Sequence, residues 1–275
     1  MSTATIGFIG GGNMAASIIG GLLASGVSAA NLRAGDPNSD SLQRLRELGD
    51  ITTSENNGDI IPGCDVLVLA VKPQLMKVVC EQIAADVQTG KPLIISIAAG
   101  ITAASIERWL GSGLAIVRCM PNTPALIRCG ATGLFANSAV SEAEKALAEN
   151  ILSATGLALW VDTESDLDAV TAVSGSGPAY FFLMIEAIQQ AGTELGLNAD
   201  TANRLALQTA FGASRMALDS DVDAAELRRR VTSPNGTTQR AIEIMEEGGF
   251  RTLMTTALRG AADRSEELGR ELEGE

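Results

Sequence analysis

Small residues near the N-terminus have the spacing of a turn that binds a dinucleotide. Gly10, Gly12 and Ala15 form the pattern G-x-G-x-x-A, which begins in the glycines that end the apolar run TIGFIGG and leads into a segment of helical periodicity. The first glycine allows a tight turn, the second lets the backbone approach a pyrophosphate, and the small third residue lets helix and strand pack closely. A glycine-rich turn without a ligand is the alternative. The coenzyme contacts predicted from this pattern are Gly10, Gly11, Gly12, Asn13 and Met14.

Polar residues follow other predicted strands, at the positions where a coenzyme would lie. Asp36 ends the second strand, where a carboxylate bonds the ribose hydroxyls of NAD and repels the 2′-phosphate of NADP. Asn122, in the segment MPNTP, is a candidate to bond the nicotinamide amide. For both residues the alternative is a role in turn formation. A further strand ends in the segment AVKP, which places four more residues at the coenzyme crevice: Ala70, Val71, Lys72 and Pro73.

The inventory of acids and bases is poor. The chain has no histidine, its only tyrosine, Tyr180, is followed four residues later by Met184, and no lysine occurs after Lys145. Reduction of a ketone creates an alkoxide that needs a proton donor, usually His, Lys or Tyr. A protonated imine needs mainly positioning and exclusion of water, because hydride addition neutralises it. The inventory therefore favours C=N over C=O as the hydride acceptor, although a lysine of the first half remains open as a donor.

Two polar, glycine-bearing loops lie in the C-terminal half. One is AVSGSGPAY, which ends at Tyr180, and the other is VTSPNGTTQ, which precedes a predicted helix. The free N–H groups at such a helix start suit a carboxylate, and Ser and Thr hydroxyls can add hydrogen bonds. Helix capping and turn formation are the alternative roles. The second loop supplies the predicted substrate contacts, Ser233, Gly236, Thr237 and Thr238.

Composition narrows the class of protein. The chain has 275 residues, 46% of them hydrophobic, and a formal net charge of −13. We therefore expect a globular protein whose acidic surface disfavours nucleic acid and anionic lipid. No apolar run is long enough to span a membrane, and the segment MSTATIGFIGGG lacks the basic region of a secretory signal, so we expect a cytoplasmic location. The four cysteines show no metal-binding spacing, and we expect buried thiols and no metal site.

Strands and helices alternate in the first part of the chain, which predicts an α/β fold with a parallel sheet. Strands fit 4–10, 31–36, 64–71, 92–98, 114–120, 131–136 and 157–161, and helices fit 13–25, 39–48, 102–110 and 141–154. We expect a Rossmann domain over residues 1–162. From residue 163 to 275 only helices fit, and we expect an all-α domain. Its alanine-rich helices predict burial against a second subunit, with a monomeric bundle as the alternative.

The motifs GFIGGGNMA, AVKPQ, RCMPNTP, AVSGSGPAYFF and VTSPNGTT occur in this order across nearly the whole chain. In this combination the sequence resembles the pyrroline-5-carboxylate reductases. The resemblance implies hydride transfer from NADPH or NADH to the C=N carbon of 1-pyrroline-5-carboxylate, giving L-proline as the last step of proline biosynthesis. It also implies a Rossmann domain followed by a helical domain that interlocks two subunits, with assembly in some members into decamers.

The resemblance implies further site residues. Asn57, with Val71 and Lys72, would touch the coenzyme, and Ala99 would lie nearby. Gly236, Thr237 and Thr238 would hold the substrate carboxylate, from the loop of the partner subunit. Thr171 and Ser176 would lie near the substrate ring and, with Thr238, make up the catalytic set.

Two positions depart from the family pattern. Many members prefer NADPH and carry small or basic residues where Asp36 stands, so we expect comparable or better use of NADH. The loop reads SPNGTT where SPGGTT is commoner, and Asn235 suits the same turn because asparagine accepts a positive φ.

Three other functions are alternatives for a chain of this build. A 3-hydroxyacid dehydrogenase of similar build would need a lysine in the second domain, which the chain lacks. A non-catalytic dinucleotide sensor would bind coenzyme without turnover. The third alternative is a reductase of another cyclic imine, such as a six-membered ring or a thiazoline, because ring size is selected by a pocket volume that depends on packing.

Overall fold

The computed structural model describes residues 3–273. The chain divides into two compact units. The first runs to Ser176 and is completed by the segment from Gly260 onward, and the second is Gly177–Arg259. Among the described residues, no helix is long and apolar enough to cross a membrane.

The first unit is built on an eight-stranded sheet. Its strands are β1 Ile6–Ile9, β2 Leu32–Gly35, β3 Thr52–Ser54, β4 Val66–Leu69, β5 Leu93–Ser96, β6 Ile116–Met120, β7 Gly130–Ala136 and β8 Gly156–Trp160. The spatial order is β3-β2-β1-β4-β5-β6-β7-β8, with β1 and β4 side by side at the point where the chain changes direction across the sheet. This is the doubly wound arrangement of a Rossmann domain, and the predicted fold class is confirmed.

Helices cover both faces of this sheet. They are α1 Asn13–Ala24, α2 Ser39–Leu48, α3 Pro73–Gly90, α4 Ala103–Leu110, α5 Glu142–Ser153 and α6 Asp166–Val170. Alternate β-strand residues divide between two apolar cores: Ile6 and Phe8 lie in the core that also holds residues of α1 and α5, while Ile9 lies in the core that holds residues of α3 and α4. The sheet is therefore buried on both faces, as the continuous apolar runs of its strands predict.

The second unit is helical. It contains α7 Gly177–Glu194, α8 Ala199–Leu218, α9 Ala224–Arg230, α10 Thr237–Glu247 and the first part of α11, which spans Phe250–Glu273. Asparagine or aspartate side chains cap two of these helices: Asn198 accepts from the N–H of Thr201, and Asp223 accepts from the N–H of Glu226. Their bounds agree to within a few residues with the helices that the sequence predicts here, 176–194, 198–218, 223–231, 237–247 and 249–271.

The sheet differs from the predicted one at β7, which pairs antiparallel with β6. The connection from Met120 to Gly130 contains only a short 3₁₀ helix, Thr123–Ile127. A parallel return needs a crossover of about a dozen or more residues, usually with an α-helix, so the chain must turn back directly. After β7, α5 provides such a crossover, and β8 is parallel to β7.

Two elements of the structure, α3 and β3, are not among the predicted ones. In α3 the buried residues Met76, Cys80, Ile83 and Val87 have helical spacing, and Pro73 at the first turn is a typical start signal. The signal was therefore present in the sequence. β3 has three residues with little burial, so its alternation is too short to detect.

The boundary between compact units lies later than the division proposed from the sequence, 1–162 and 163–275. Residues 163–176 pack on the sheet, where Val170 fills the space above Gly133 of β7. The end of α11 returns to the same unit, because Ser265 donates a hydrogen bond to Asp168 at 2.7 Å. The last strand therefore ends before the first compact unit does, and the helical segment 163–176 still packs with the sheet.

Three of the four cysteines are buried and one, Cys129, is exposed, which corrects the expectation of four buried thiols. Burial raises the pKa of the Cys80 thiol to about 12 and also raises the pKa of the Cys64 and Cys119 thiols. The buried thiols are therefore neutral packing groups. The described residues contain no cluster of ligands for a metal.

A nearly buried ion pair joins β6 to the segment before α6. Arg118 donates to Oε1 of Glu164 at 2.8 Å, and the same oxygen accepts from the N–H of Ala103 at the start of α4 at 2.7 Å. The side chains are only 10% and 28% exposed, so removal of one partner leaves a charge in a poorly solvated place.

We expect Glu164→Ala to destabilise the first unit by about 3 kcal/mol, because it leaves the Arg118 guanidinium without its carboxylate. Scanning calorimetry would show a Tm several degrees lower. The control is Glu142→Ala, which removes the exposed pair with Lys145 and should cost less than about 1 kcal/mol. Equal melting temperatures for the two variants would contradict a stabilising role of the Arg118–Glu164 ion pair.

Candidate active site

The glycine turn follows β1 at the carboxyl edge of the sheet. Gly10 has a φ of +101°, and its N–H donates to the carbonyl oxygen of Gly35 at 2.7 Å. A Cβ atom at Gly10 would lie 2.7 Å from the carbonyl oxygen of Ala70. Both the backbone conformation and the space therefore require glycine here.

The start of α1 is open toward the carboxyl edge. Gly12 is the N-cap residue, no side chain caps the helix, and no atom lies within 4 Å of a Cβ built on Gly12. Uncapped N–H groups beside open space suit a diphosphate. Asn13 is exposed at this helix start, whereas Met14 is half-buried and packs against the core.

Asp36 lies directly after β2 and is held by two backbone groups. Its Oδ2 accepts from the N–H of Gly11 at 2.6 Å, and its Oδ1 accepts from the N–H of Asn38 at 2.8 Å. The carboxylate is thus fixed beside the glycine turn, because its position is determined by the backbone on both sides.

A cavity of about 720 Å³ lies along this edge of the sheet, a volume typical of cofactor sites. It brings together seven of the predicted coenzyme residues: Gly10, Gly12, Asp36, Asn57, Ala70, Val71 and Lys72. The Oδ1 atom of Asn57 is buried and has no hydrogen-bond partner among the described residues. An unpartnered buried acceptor costs free energy unless a ligand satisfies it. The residues present therefore fit a dinucleotide with hydroxyl groups to donate.

The cavity also contains residues that the sequence analysis missed. Glu55 and Asn56 follow β3, while Leu75, Val79 and Asp86 belong to α3. They were missed because neither β3 nor α3 was predicted. The helical spacing of the apolar residues in α3 was the signal that could have found the second group.

Other predicted coenzyme residues lie outside the lining of this cavity. They are Gly11, Asn13, Met14, Pro73, Ala99 and Asn122. Pro73 is the first residue of α3, and Ala99 is exposed in the loop after β5.

Asn122 is buried, and its amide is bonded on both sides within the protein. Its Oδ1 accepts from the N–H of Ala131 at 2.9 Å, and its Nδ2 donates to the carbonyl oxygen of Ser174 at 3.0 Å. Both internal hydrogen bonds tie this side chain to the protein framework, and the predicted bond from Asn122 to the nicotinamide amide stays a prediction.

Residues Thr171–Gly175 form a π-helical turn after α6. The N–H of Ser176 donates to the carbonyl oxygen of Thr171 at 2.8 Å. The hydroxyl of Thr171 donates to the carbonyl oxygen of Leu167, and the hydroxyl of Ser174 donates to that of Val170. Thr171 and Ser176 are both half-buried and are linked by this irregular turn. π-Helical turns are frequent at functional sites.

The loop before α10 carries the predicted substrate residues in the second unit. Gly236 is the N-cap residue of α10, and no side chain caps this helix. Ser233, Thr237 and Thr238 are exposed beside it. The N–H of Gly236 donates to the carbonyl oxygen of Ser233 at 3.0 Å, so the free N–H groups are those of the first turn of α10. Together with the hydroxyls they suit a carboxylate.

Asn235 adopts a φ of +57°, so the expectation that asparagine would tolerate this turn is confirmed. Its N–H donates to Oε1 of Gln239 at 2.7 Å, which ties the loop to the first turns of α10.

Comparisons with known proteins agree along the whole chain. The family model described as "Pyrroline-5-carboxylate reductase dimerisation" matches residues 164–268, and the model described as "NADP oxidoreductase coenzyme F420-dependent" matches residues 5–100. A pyrroline-5-carboxylate reductase of Pseudomonas aeruginosa is 55% identical over 272 residues, which is 99% of each chain. The chain belongs to the pyrroline-5-carboxylate reductase family.

Solved structures of pyrroline-5-carboxylate reductases have the same fold. The protein of Coxiella burnetii is 46% identical and matches with a TM-score of 0.94 over 97% of this chain and 99% of that one. The protein of Plasmodium falciparum, solved with NADP bound, is 29% identical and matches with a TM-score of 0.84 over 98% of this chain and 99% of that one.

The dimerisation region of this reductase presents many large apolar side chains to its surroundings. Those more than half exposed include Phe181, Phe182, Leu183, Leu205, Phe211 and Met216. Large exposed apolar patches on a protein mark interaction sites. The sequence expectation of burial against a second subunit therefore agrees with the matched dimerisation region.

The left-handed conformation of Asn235 generates a test of the substrate loop. We expect Asn235→Gly to retain the wild-type stability and substrate KM. Asn235→Ala should lower the free energy of unfolding by about 1 kcal/mol, because alanine is strained at this φ. Thermal melting and steady-state kinetics measure both effects. Identical behaviour of the two variants would show that the turn does not need this conformation.

Proposed function

We propose that this chain reduces the C=N bond of 1-pyrroline-5-carboxylate to give L-proline, with NADH or NADPH as the hydride donor. The observation that carries the proposal is the 55% identity, over 99% of both chains, to a protein named for this activity. The cavity at the carboxyl edge of the sheet supports it, because it has the volume and the unpaired Asn57 acceptor that a dinucleotide would use.

The chemistry suits the residues available. The reduced nicotinamide, when bound, supplies a hydride to the imine carbon, and a protonated imine nitrogen becomes a neutral amine as its π electrons become a lone pair. No proton donor of the histidine type is required, in agreement with a sequence that contains none. The residues of this chain therefore need to bind the coenzyme and the imine, to orient them and to exclude water.

Each part of the site has a role in this proposal. The Gly10–Gly12 turn and the start of α1 bind the diphosphate. Lys72, exposed at the cavity, provides a positive charge for the phosphate or ribose side. The loop before α10 holds the substrate carboxylate through free N–H groups and the Thr238 hydroxyl. Thr171 and Ser176 are proposed to face the substrate ring.

A coupled assay tests the function directly. Purified protein should consume reduced-nicotinamide absorbance when 1-pyrroline-5-carboxylate is added, and L-proline should accumulate in equal amount. Binding of coenzyme without turnover would overturn the proposal in favour of a sensor. Faster turnover of a six-membered cyclic imine would reassign the substrate.

We propose a homodimer as the smallest active assembly, because the second unit exposes apolar side chains within the matched dimerisation region. Light scattering after size exclusion distinguishes this dimer from the decamer that the family resemblance also implies. We place the enzyme in the cytoplasm, where its four free thiols would stay reduced.

The acidic rim of the cavity bears on the choice of coenzyme. Asp36, Glu55 and Asp86 all line it, and each carboxylate disfavours an additional phosphate on the ribose. We therefore propose that NADH is used at least as well as NADPH, unlike a site built around a basic residue at the end of β2.

We expect Asp36→Ser to raise the ratio of kcat/KM for NADPH over that for NADH by about tenfold, the effect of roughly 1.4 kcal/mol of removed repulsion. Serine retains an acceptor for the N–H of Asn38. The control is Asp40→Ser, in the exposed first turn of α2 and outside the cavity lining. An unchanged ratio would remove Asp36 from coenzyme selection.

We expect Thr238→Ala to raise the KM for 1-pyrroline-5-carboxylate about tenfold, because a hydrogen bond to a charged carboxylate contributes about 1.5 kcal/mol or more. The Kd of the coenzyme, measured by fluorescence titration, should stay within twofold of wild type. Thr238→Ser keeps the hydroxyl and should restore most of the affinity. Wild-type KM in the alanine variant would exclude Thr238 from the substrate site.

A further inference from the structure

Asn122 is a hydrogen-bonded link between β7 and the π-helical turn. Its orientation is unambiguous, because the Ala131 N–H can only donate and the Ser174 carbonyl can only accept. With only 9% of the residue exposed, neither bond is readily replaced by water.

The carbonyl of Ser174 needs such a donor. In a regular α-helix it would accept from the N–H of residue 178, but that residue is Pro178, which has no N–H. The side chain of Asn122 supplies the missing hydrogen bond. The unusual conformation of Thr171–Gly175 is therefore maintained from outside the helix, by a residue that follows another strand.

The π-helical turn lies against the carboxyl end of β6. A Cβ atom on Gly175 would come within 2.7 Å of Cε of Met120, the last residue of that strand. Ligands of doubly wound sheets bind beyond this edge. The position of the turn relative to Met120 therefore determines the shape of the sheet edge near the end of β6.

We propose that Asn122 is a positioning residue, which acts by holding the π-helical turn against the end of β6 in the geometry that hydride transfer requires. The proposal rests on the proposed reductase function. In it, Asn122 contacts neither coenzyme nor substrate, so its loss lowers kcat and leaves the Kd of the coenzyme unchanged.

The variant Asn122→Asp keeps the hydrogen bond from Ala131 and makes the hydrogen bond to Ser174 depend on pH. One carboxylate oxygen can still accept from Ala131, but the other faces the Ser174 carbonyl and repels it when ionised. When protonated, that oxygen donates and restores the link. Burial and the neighbouring carbonyl both raise the pKa of the introduced carboxyl above the usual value of about 3.9, so the link is present at low pH and lost as pH rises.

Few other groups could produce this pH dependence. The elements packed around Asn122 carry no titratable side chain in α1, in β7, in the 3₁₀ helix Thr123–Ile127 or in the π-helical turn. Nearby β6 carries Arg118, which is paired with Glu164, and Cys119, a thiol whose pKa is raised by burial. Arg128 and the exposed Cys129 lie between the 3₁₀ helix and β7. In α6, Asp166 accepts from the N–H of Thr163, and Asp168 accepts from Ser265.

The chain offers a matched control in Asn137. Its Oδ1 accepts from the N–H of Ile116 at 3.1 Å, and its Nδ2 donates to the carbonyl oxygen of Leu114 at 3.0 Å. This amide bridges backbone groups at the opposite end of β6, away from the carboxyl edge. Asn137→Asp therefore repeats the chemical change without touching the π-helical turn.

The experiment compares wild type and both variants in the 1-pyrroline-5-carboxylate assay from low to high pH, with each rate divided by that of wild type at the same pH. We expect Asn122→Asp to lose kcat about tenfold or more at high pH and to recover it at low pH. Asn137→Asp should keep the wild-type kcat. A flat ratio for Asn122→Asp, or equal losses in both variants, would overturn the proposal.

Hydrogen exchange gives a readout that does not depend on activity. The Ser176 N–H, bonded to the Thr171 carbonyl, should exchange faster in Asn122→Asp than in wild type at neutral pH and at the wild-type rate in Asn137→Asp. Unchanged exchange in Asn122→Asp would overturn the proposal even if wild type proved inactive on this substrate. If wild type is inactive while exchange responds as expected, only the proposed function fails.

Gly175→Ala is a second variant for the case in which Asn122→Asp does not fold. It leaves the amide link intact and displaces the turn from the flexible end of Met120. We expect a pH-independent loss of kcat of about tenfold with an unchanged Kd for the coenzyme. Wild-type kcat in a folded Gly175→Ala variant would contradict a requirement for this geometry.

Discussion

The backbone of Gly10 lies so close to the carbonyl of Ala70 that no side chain fits between them. This approach joins the ends of β1 and β4, the two strands at the centre of the sheet where the chain reverses its direction of winding. Because both strands are parallel, their carboxyl ends open onto the same edge. Asp36, Asn57 and Lys72 come from distant parts of the sequence and meet at one cavity only because of this arrangement.

Much of the first unit was predictable because its signals are local. The G-x-G-x-x-A spacing, the apolar runs of β1 and β4, and the carboxylate after β2 each appear within a few residues of sequence. The antiparallel β7 was not predicted, since apolar alternation gives a strand but not its direction. Direction follows from the length of the connection and from what that connection can form.

Asn122 shows where sequence reasoning stops. A polar residue after a strand is as typical of a ligand contact as of a turn. The structural role of Asn122 is visible only from the hydrogen-bond partners of its amide. Those partners are nine and 52 residues away along the chain. In the second unit the opposite holds: the left-handed Asn235 was predictable, because the demand on its φ is made by its immediate neighbours.

Asp36 has two structural partners in addition to its charge, the N–H groups of Gly11 and Asn38. Loss of this carboxylate would also release the N–H of Gly11, in the turn that we propose binds the diphosphate. Substitutions at this position are therefore expected to be epistatic: a single change such as Asp36→Ser shifts the coenzyme ratio but leaves the N–H of Gly11 without its partner, and a second residue that restores this hydrogen bond would enlarge the shift.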